Sequence, residues 1–185
     1  MERERSTFYQ GKAISENQLG TGMTNLLAKF AGKVCEILIP VKHDIFYGDE
    51  NSSIALCTLS SINMLDLFSK SELMSKVAIA ARLFSENKGI ETLIKYVLQN
   101  RRIKYIILCG KDTKGHLPGQ GLVALQRNGI DAKGRIIDAW GKDPVLDSLT
   151  QHDIDEFRER VILVDLIGTT EIDRVAQEIT NLARV

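Results

Sequence analysis

Neither sign of charge is in excess in this chain. Lys plus Arg and Asp plus Glu stand at 24 each. A balanced chain gives no electrostatic warrant for a nucleic acid or an anionic membrane as partner. No run approaches the ~18 apolar residues of a membrane span, and the N-terminal MERERSTFYQGK has no apolar core of the signal-peptide kind. Cysteine is scarce: Cys35, Cys57 and Cys109 are odd in number and far apart. They make neither a CxxC zinc pattern nor a disulfide framework, and read as reduced core thiols of a cytoplasmic protein. A GxxxxGK loop followed by Ser or Thr is absent. GxGxxG is absent as well, because Gly115, Gly119 and Gly121 have the wrong spacing. GxSxG is missing too, which leaves Ser60 and Ser61 weak as nucleophiles.

What is present is a core. Of the 185 residues, 44% are hydrophobic, and the length suits one domain, or one domain with an appendage. The polar, glycine-rich start reads as a mobile arm, giving expected bounds of 1–35 for the arm and 36–185 for an α/β domain. Short apolar runs alternate with segments of helical spacing. TNLLAKF (24–30) suits a short helix and VCEILIPV (34–41) a strand interrupted by Pro40; residues 43–53 are dense in turn formers. IALCTL (54–59) reads as a buried strand, 62–70 as a helix, VAIAARL (77–83) as a strand or a helix, and 90–99 as a helix. RIID (135–138) suits a short strand, and a loop holding the only tryptophan, Trp140, follows it. Thr150 caps a predicted helix to Arg160, VILVDLI (161–167) is a further buried strand, and Thr169 or Thr170 caps a last helix. This alternation predicts a mainly parallel, Rossmann-like sheet with helices on both faces. IALCTL, KYIILC and VILVDL are its expected central strands.

The richest stretch runs from Lys104 to Gly129, KYIILCGKDTKGHLPGQGLVALQRNG. A buried strand breaks at Gly110 into the loop KDTKGH; Pro118 can open a helix, and Asn128-Gly129 can stop it. His116 therefore sits between the carboxyl end of a strand and the amino end of a helix, where open α/β sheets bind ligands. Other strand ends bring Ser60, Ser61, 86–89, 138–142 and Asp165 to the same edge. A neutral imidazole there can ligate a metal, move a proton or bind a phosphate, although solvated loop histidines are commoner. The helix opening at 118–121 is itself a candidate phosphate site. His43 and His152 read as solvent-facing.

The pieces IALCTL, SENKGIETLIKYVLQN, YIILCGKDTKGHLPGQGLVALQRNGIDAKGRII and FRERVILVDLI resemble the corrinoid-carrying A subunit of tetrahydromethanopterin S-methyltransferase. The most specific of them is ILCGKDTKGHLPGQ. The resemblance implies a cobalamin-type corrinoid, held with the histidine of the KGH loop as lower cobalt ligand. It also implies a methyl group passed from methyl-tetrahydromethanopterin through cobalt to coenzyme M, within a membrane-bound, sodium-pumping complex. On that basis His116 is the metal ligand and catalytic group. Ser60, Ser61, Asn87, Lys111, Thr113, Lys114, Gly115, Pro118, Gly119 and Gln120 are the expected cofactor contacts.

Lys114 stands where other corrinoid proteins place Asp in Asp-x-His-x-x-Gly. The group orienting His116 must therefore come from elsewhere: Asp112, Glu86 or a backbone carbonyl. AARLF precedes SENKGIE where the family suggests a Gly-x-Cys turn, and residues 1–34 match nothing in it. No counterpart of the family's membrane-anchor helix is seen, so a cytoplasmic form without a direct span is expected. Its expected partners are methyl donor and acceptor proteins or other methyltransferase subunits, with homo-oligomers also possible. The competing expectation is a small-molecule or pterin-binding regulatory or scaffold module that has lost the cobalt.

Overall fold

The computed structural model describes residues 45–184. The expected arm, the helix at 24–30, the strand at 34–41 and the domain boundary near 35 lie outside the described residues. Among the described residues five strands form one sheet: β1 (Ile45–Tyr47), β2 (Ile54–Cys57), β3 (Ile79–Ala81), β4 (Tyr105–Gly110) and β5 (Ile162–Ile167). Their spatial order is β1-β3-β2-β4-β5. All neighbours are parallel except β1, which pairs antiparallel with β3 through Ile45↔Ala81 and Tyr47↔Ile79. The α/β reading thus holds.

Among the described residues five α-helices connect and cover the sheet: α1 (Ile62–Ser69), α2 (Lys88–Gln99), α3 (Pro118–Asn128), α4 (Gln151–Arg160) and α5 (Ile172–Leu182). Successive side chains of a strand point to opposite faces, so the sheet makes two cores. Ala55, Cys57, Ile106 and Leu108 meet Ile90, Ile94, Leu122, Leu125 and Phe157 from α2, α3 and α4. Ile54, Leu56, Ile107 and Cys109 meet Met64, Phe68, Val175 and Ile179 from α1 and α5. Phe68 and Phe157 are each 1% exposed or less; truncating either to alanine costs about 3–5 kcal/mol.

Several local expectations are corrected. Residues 43–53 are not all loop, because Ile45–Tyr47 adds an antiparallel edge strand to β3. VILVDL lies beside β4 as expected, but β5 ends the described sheet instead of lying within it. Ile162 is 58% exposed and Asp165 faces solvent, its carboxylate accepting the Ile167 N–H. RIID forms no strand of the sheet; it contributes only isolated bridges, Ile130↔Ile136 and Arg135↔Val145. The ambiguous 77–83 segment is a strand, and a short 3-10 helix, Glu72–Lys76, precedes it. Thr150 caps α4 through a reciprocal bond with Asp153, as the sequence predicts. The cap position of α5 is Glu171, not Thr169 or Thr170, and it makes no side-chain cap bond.

The topology sets the location of the site. From β2 the chain passes over one face by α1 to β3, then over the other by α2 to β4. β3 and β4 flank β2 on opposite sides, so the order reverses between β2 and β4. Ligands bind at the carboxyl ends beside such a reversal. The irregular segment after α3 is tied down across this edge. Glu91 of α2 is buried, which alone would raise its pKa. The Ser148 N–H at 2.7 Å and the Lys88 ammonium at 2.9 Å outweigh burial and lower it to about 2.

Candidate cofactor-binding site

The β2–β4 crevice is closed by hydrogen bonds. The Lys111 carbonyl accepts the Ser60 N–H at 3.0 Å and the Ser60 hydroxyl at 2.6 Å. Ser61 Oγ accepts the Lys111 N–H at 2.9 Å. A Cβ on Gly110 would fall 2.6 Å from that oxygen, and its φ of +78° suits glycine. Ser60 and Ser61 therefore set the path of the loop that carries His116.

Asp112 anchors the other end of that loop. Its Oδ1 accepts the N–H groups of Thr113 at 2.9 Å and Gly119 at 3.0 Å, and Oδ2 accepts the Gln120 N–H at 2.9 Å. The donors at the start of α3 are thereby satisfied by a carboxylate of the chain itself. The candidate phosphate site at 118–121 thus holds the Asp112 carboxylate. Gly119 permits the approach, since a Cβ there would lie 3.0 Å from both Asp112 Oδ2 and the Leu59 methyls. Pro118 occupies the first turn, after Leu117 in a left-handed conformation with φ 47°. The Thr113 carbonyl accepts the N–H groups of His116 at 3.2 Å and Leu117 at 2.8 Å, while the Thr113 hydroxyl is buried without a hydrogen-bond partner.

His116 stands at the tip of this turn, its side chain 53% exposed. Its Nδ1 lies 2.8 Å from Glu86 Oε2, on a carboxylate that is 3% exposed. Of the candidate orienting groups, Glu86 has the role, and Asp112 caps α3 instead. Burial pushes the Glu86 pKa up. Its own backbone N–H, that of Asp143 and the His116 ring more than offset this and hold it below the usual carboxylate value. An ionised acceptor takes the Nδ1 proton of a neutral imidazole, which leaves the Nε2 lone pair for a ligand.

Glu86 Oε1 also accepts the Asp143 N–H at 3.1 Å, pinning the loop after residue 138. Gly141 is the tightest point, because a Cβ there would fall 2.4 Å from the His116 carbonyl oxygen and 2.9 Å from Glu86 Cγ. Phe84, Ser85, Glu86, Asn87, His116, Lys142 and Asp143 line a depression of about 450 Å3.

The other expected contacts divide. Lys111, Lys114 and Gly115 are exposed beside His116, and a Cβ on Gly115 would meet nothing within 4 Å. Asn87 lines the depression and caps α2 by accepting the Lys88 N–H. Gln120 is committed elsewhere: its Nε2 donates to the Asp138 carbonyl and its Oε1 accepts the Trp140 backbone N–H, both at 2.9 Å. The 138–142 segment was expected at this edge, but the close approach of Gly141 and the Asp143 N–H were not foreseen. The described non-glycine residues with positive φ are Leu59, Leu117 and Asp138. One follows β2, one opens α3 and one begins the covering loop. Such conformations cost about 1–3 kcal/mol each and cluster where a site is held in shape.

The architecture is that of a Rossmann-like α/β domain presenting one oriented, solvent-facing imidazole at its carboxyl edge. The family model for the A subunit of tetrahydromethanopterin S-methyltransferase matches residues 34–184. The chain belongs to that family. It is 35% identical over 144 residues to a protein of Methanosarcina barkeri named as the A subunit of the putative methyltransferase Mtx, covering 77% of this chain and 68% of that one. It is 36% identical over 137 residues to the second A subunit of tetrahydromethanopterin S-methyltransferase from Methanothermobacter thermautotrophicus, covering 74% and 72%. Against the first A subunit of Methanothermobacter marburgensis the identity is 33% over 140 residues, 75% of this chain but 57% of the relative. Among the described residues no helix is long and apolar enough to cross a membrane.

Proposed function

We propose that this chain binds a cobalamin-type corrinoid, with His116 as the lower ligand of cobalt, and serves as a methyl carrier between partner proteins. The observation that carries the reading is the pair His116 Nδ1–Glu86 Oε2, 2.8 Å, exposed on one side and buried on the other. Metal-ligating histidines are held in this way, the second ring N–H given to a carboxylate. Among the described residues no group of three or more His, Cys, Asp or Glu side chains is assembled around a common point. A metal at His116 must then bring its other ligands with it, as a metal in a macrocycle does. The open space at Gly115 and the exposed edge at 114–116 fit a flat group larger than the depression itself.

When bound, cobalt in such a ring supplies a centre that accepts and releases a methyl group. The chain's own residues do the rest. Glu86 fixes the tautomer and the ring plane of His116. Asp112 and Gly119 set the start of α3, and with it the height of the loop; Ser60 and Ser61 fix the loop's origin at β4. These contacts hold the loop from within the domain and leave His116 exposed, so a group held there would stay within reach of partners. Kinship with methyltransferase subunits supports other members of such an assembly as those partners, and they would supply the chemistry of both transfers.

Visible spectra of wild type and His116→Ala with added cobalamin at neutral pH test the reading. The wild type should show an imidazole-ligated spectrum. His116→Ala should fold, since its side chain is half exposed, and lack that spectrum. Identical spectra at saturation in both proteins would remove His116 as ligand. No binding by the wild type would favour a regulatory or scaffold module without cobalt.

A further inference from the structure

The segment from Asp138 to Asp143 carries a feature that the ligation of His116 does not use. Trp140, the only tryptophan of the chain, is 75% exposed. Exposed tryptophans on loose loops are common enough, but this loop is fastened on both sides of the indole. Gln120 of α3 holds the Asp138 carbonyl and the Trp140 backbone N–H, each at 2.9 Å. Asn128 Nδ2, also on α3, donates to Asp138 Oδ2 at 3.0 Å. Asp138 takes a left-handed conformation with φ 61°. On the far side, Gly141 packs against the His116 carbonyl, and the Asp143 N–H is bonded to Glu86. The backbone is thus fixed from residue 138 to residue 143, with a large apolar side chain in water between the fastenings.

Fixing such a side chain before binding lowers the ordering cost of whatever it meets. Its place suggests what that is. Trp140 is one residue from the glycine that touches His116, and two from Lys142 in the wall of the His116 depression. At about 450 Å3 that depression cannot enclose a corrin with its amide arms. A ring ligated at His116 must extend beyond the wall, and Trp140 is a 75% exposed apolar side chain two residues along the chain from Lys142 of that wall. Phe84, 41% exposed, also lines the depression, with the Arg82 guanidinium 3.6 Å above its ring centre. We infer that Trp140 is a corrinoid contact, an apolar shelf on which the edge of a ring ligated by His116 rests. The inference builds on the corrinoid reading above.

The test uses the full-length protein, with hydroxocobalamin as the probe, in wild type, Trp140→Ala and Trp140→Phe. Affinity is read from the visible absorbance change and by equilibrium dialysis. Trp140→Ala should bind about tenfold more weakly, which is ~1.4 kcal/mol, with the same end-point spectrum because His116 is untouched. Trp140→Phe should recover most of the loss. Melting curves of the unliganded proteins should coincide, since the loop is held by the backbone of residue 140 and not by its indole. Hydroxyl-radical footprinting gives a second readout. Hydroxocobalamin should protect Trp140 from oxidation and leave Tyr47 unchanged, a residue 72% exposed and paired with Ile79 at the opposite end of β3. Wild type that binds with His116 ligation, together with equal affinity in Trp140→Ala and an unprotected indole, overturns this inference alone. The indole would then be left to a protein partner. Wild type that does not bind overturns both this inference and the corrinoid reading.

Discussion

Replacing Glu86 by glutamine keeps the size of the side chain and changes what it can accept. The carboxylate receives His116 Nδ1–H at one oxygen and the Asp143 N–H at the other, 2.8 and 3.1 Å away. A primary amide has one accepting oxygen; if that oxygen keeps the Asp143 N–H, the NH2 faces Nδ1 and donates to it, which moves the ring proton to Nε2. Exchanging a hydrogen bond to a charged group for one between neutral groups costs about 1 kcal/mol. For a chain of this length that lowers Tm by roughly 2–4 °C, so Glu86→Gln should melt roughly 2–4 °C below wild type at pH 7. The pH dependence follows from the depressed pKa of Glu86. A carboxyl with a lowered folded-state pKa contributes stability above its unfolded pKa and loses it as pH falls through the folded value. The gap between variant and wild type should therefore be full at neutral pH and narrow below the ordinary carboxylate range. If the corrinoid reading holds, the loosened imidazole should also weaken ligation by about 10–100-fold, the usual effect of losing such a partner. Circular dichroism melts from pH 7 downward and cobalamin titrations measure both effects. A variant that melts within about 1 °C of wild type at pH 7 and binds equally well would refute the role given to Glu86.

Asp112→Ala removes the acceptor of three N–H groups around the start of α3; it should cost at least the ~1–2 kcal/mol of a lost helix cap, read from chemical denaturation. Gly141→Ala places a methyl 2.4 Å from the His116 carbonyl oxygen, so it should displace the His116 loop and shift the His116 ring resonances in NMR spectra, whereas Gly115→Ala, with open space at its Cβ but φ +82°, should cost only the backbone strain. Cys57 and Cys109 are buried free thiols; desolvation pushes Cys57 up to about 12 and Cys109 further. Alkylation at pH 8, mapped by mass spectrometry, should leave both unmodified until the domain is unfolded.

The parts of the fold legible in the sequence were those where one interaction dominates. IALCTL and KYIILC are strands because burial on both faces demands unbroken apolar runs, and both are buried. Pro118 and Asn128-Gly129 bracket α3 because their backbone chemistry permits little else there. The misreadings came from tertiary context. Three residues, IFY, become a strand only because β3 offers an open edge to pair with. VILVDL has the apolar content of an inner strand, and only Asp165 hints that one side of it meets water. RIID has β propensity but finds no long partner. At the site, His116 was visible from its place between strand and helix. Choosing Glu86 over Asp112 as its partner was not possible from spacing, since the two carboxylates are separated only by which N–H groups the folded loops bring to each. Gln120 was expected at the ligand, and its amide is instead spent on the neighbouring loop.

The carboxylate of Asp112 at the head of α3 bears on selectivity as well as on stability. A helix opening after a strand is where folds of this shape commonly receive phosphorylated ligands. Here the anion is tethered, and a tethered group competes at an effective concentration of the order of mM without being supplied from solution. A nucleotide or sugar phosphate approaching this edge must expel a carboxylate that already bonds the N–H groups of Gly119 and Gln120. The chain thus closes the commonest use of its own architecture from within, while the imidazole of His116 stays exposed at the same edge.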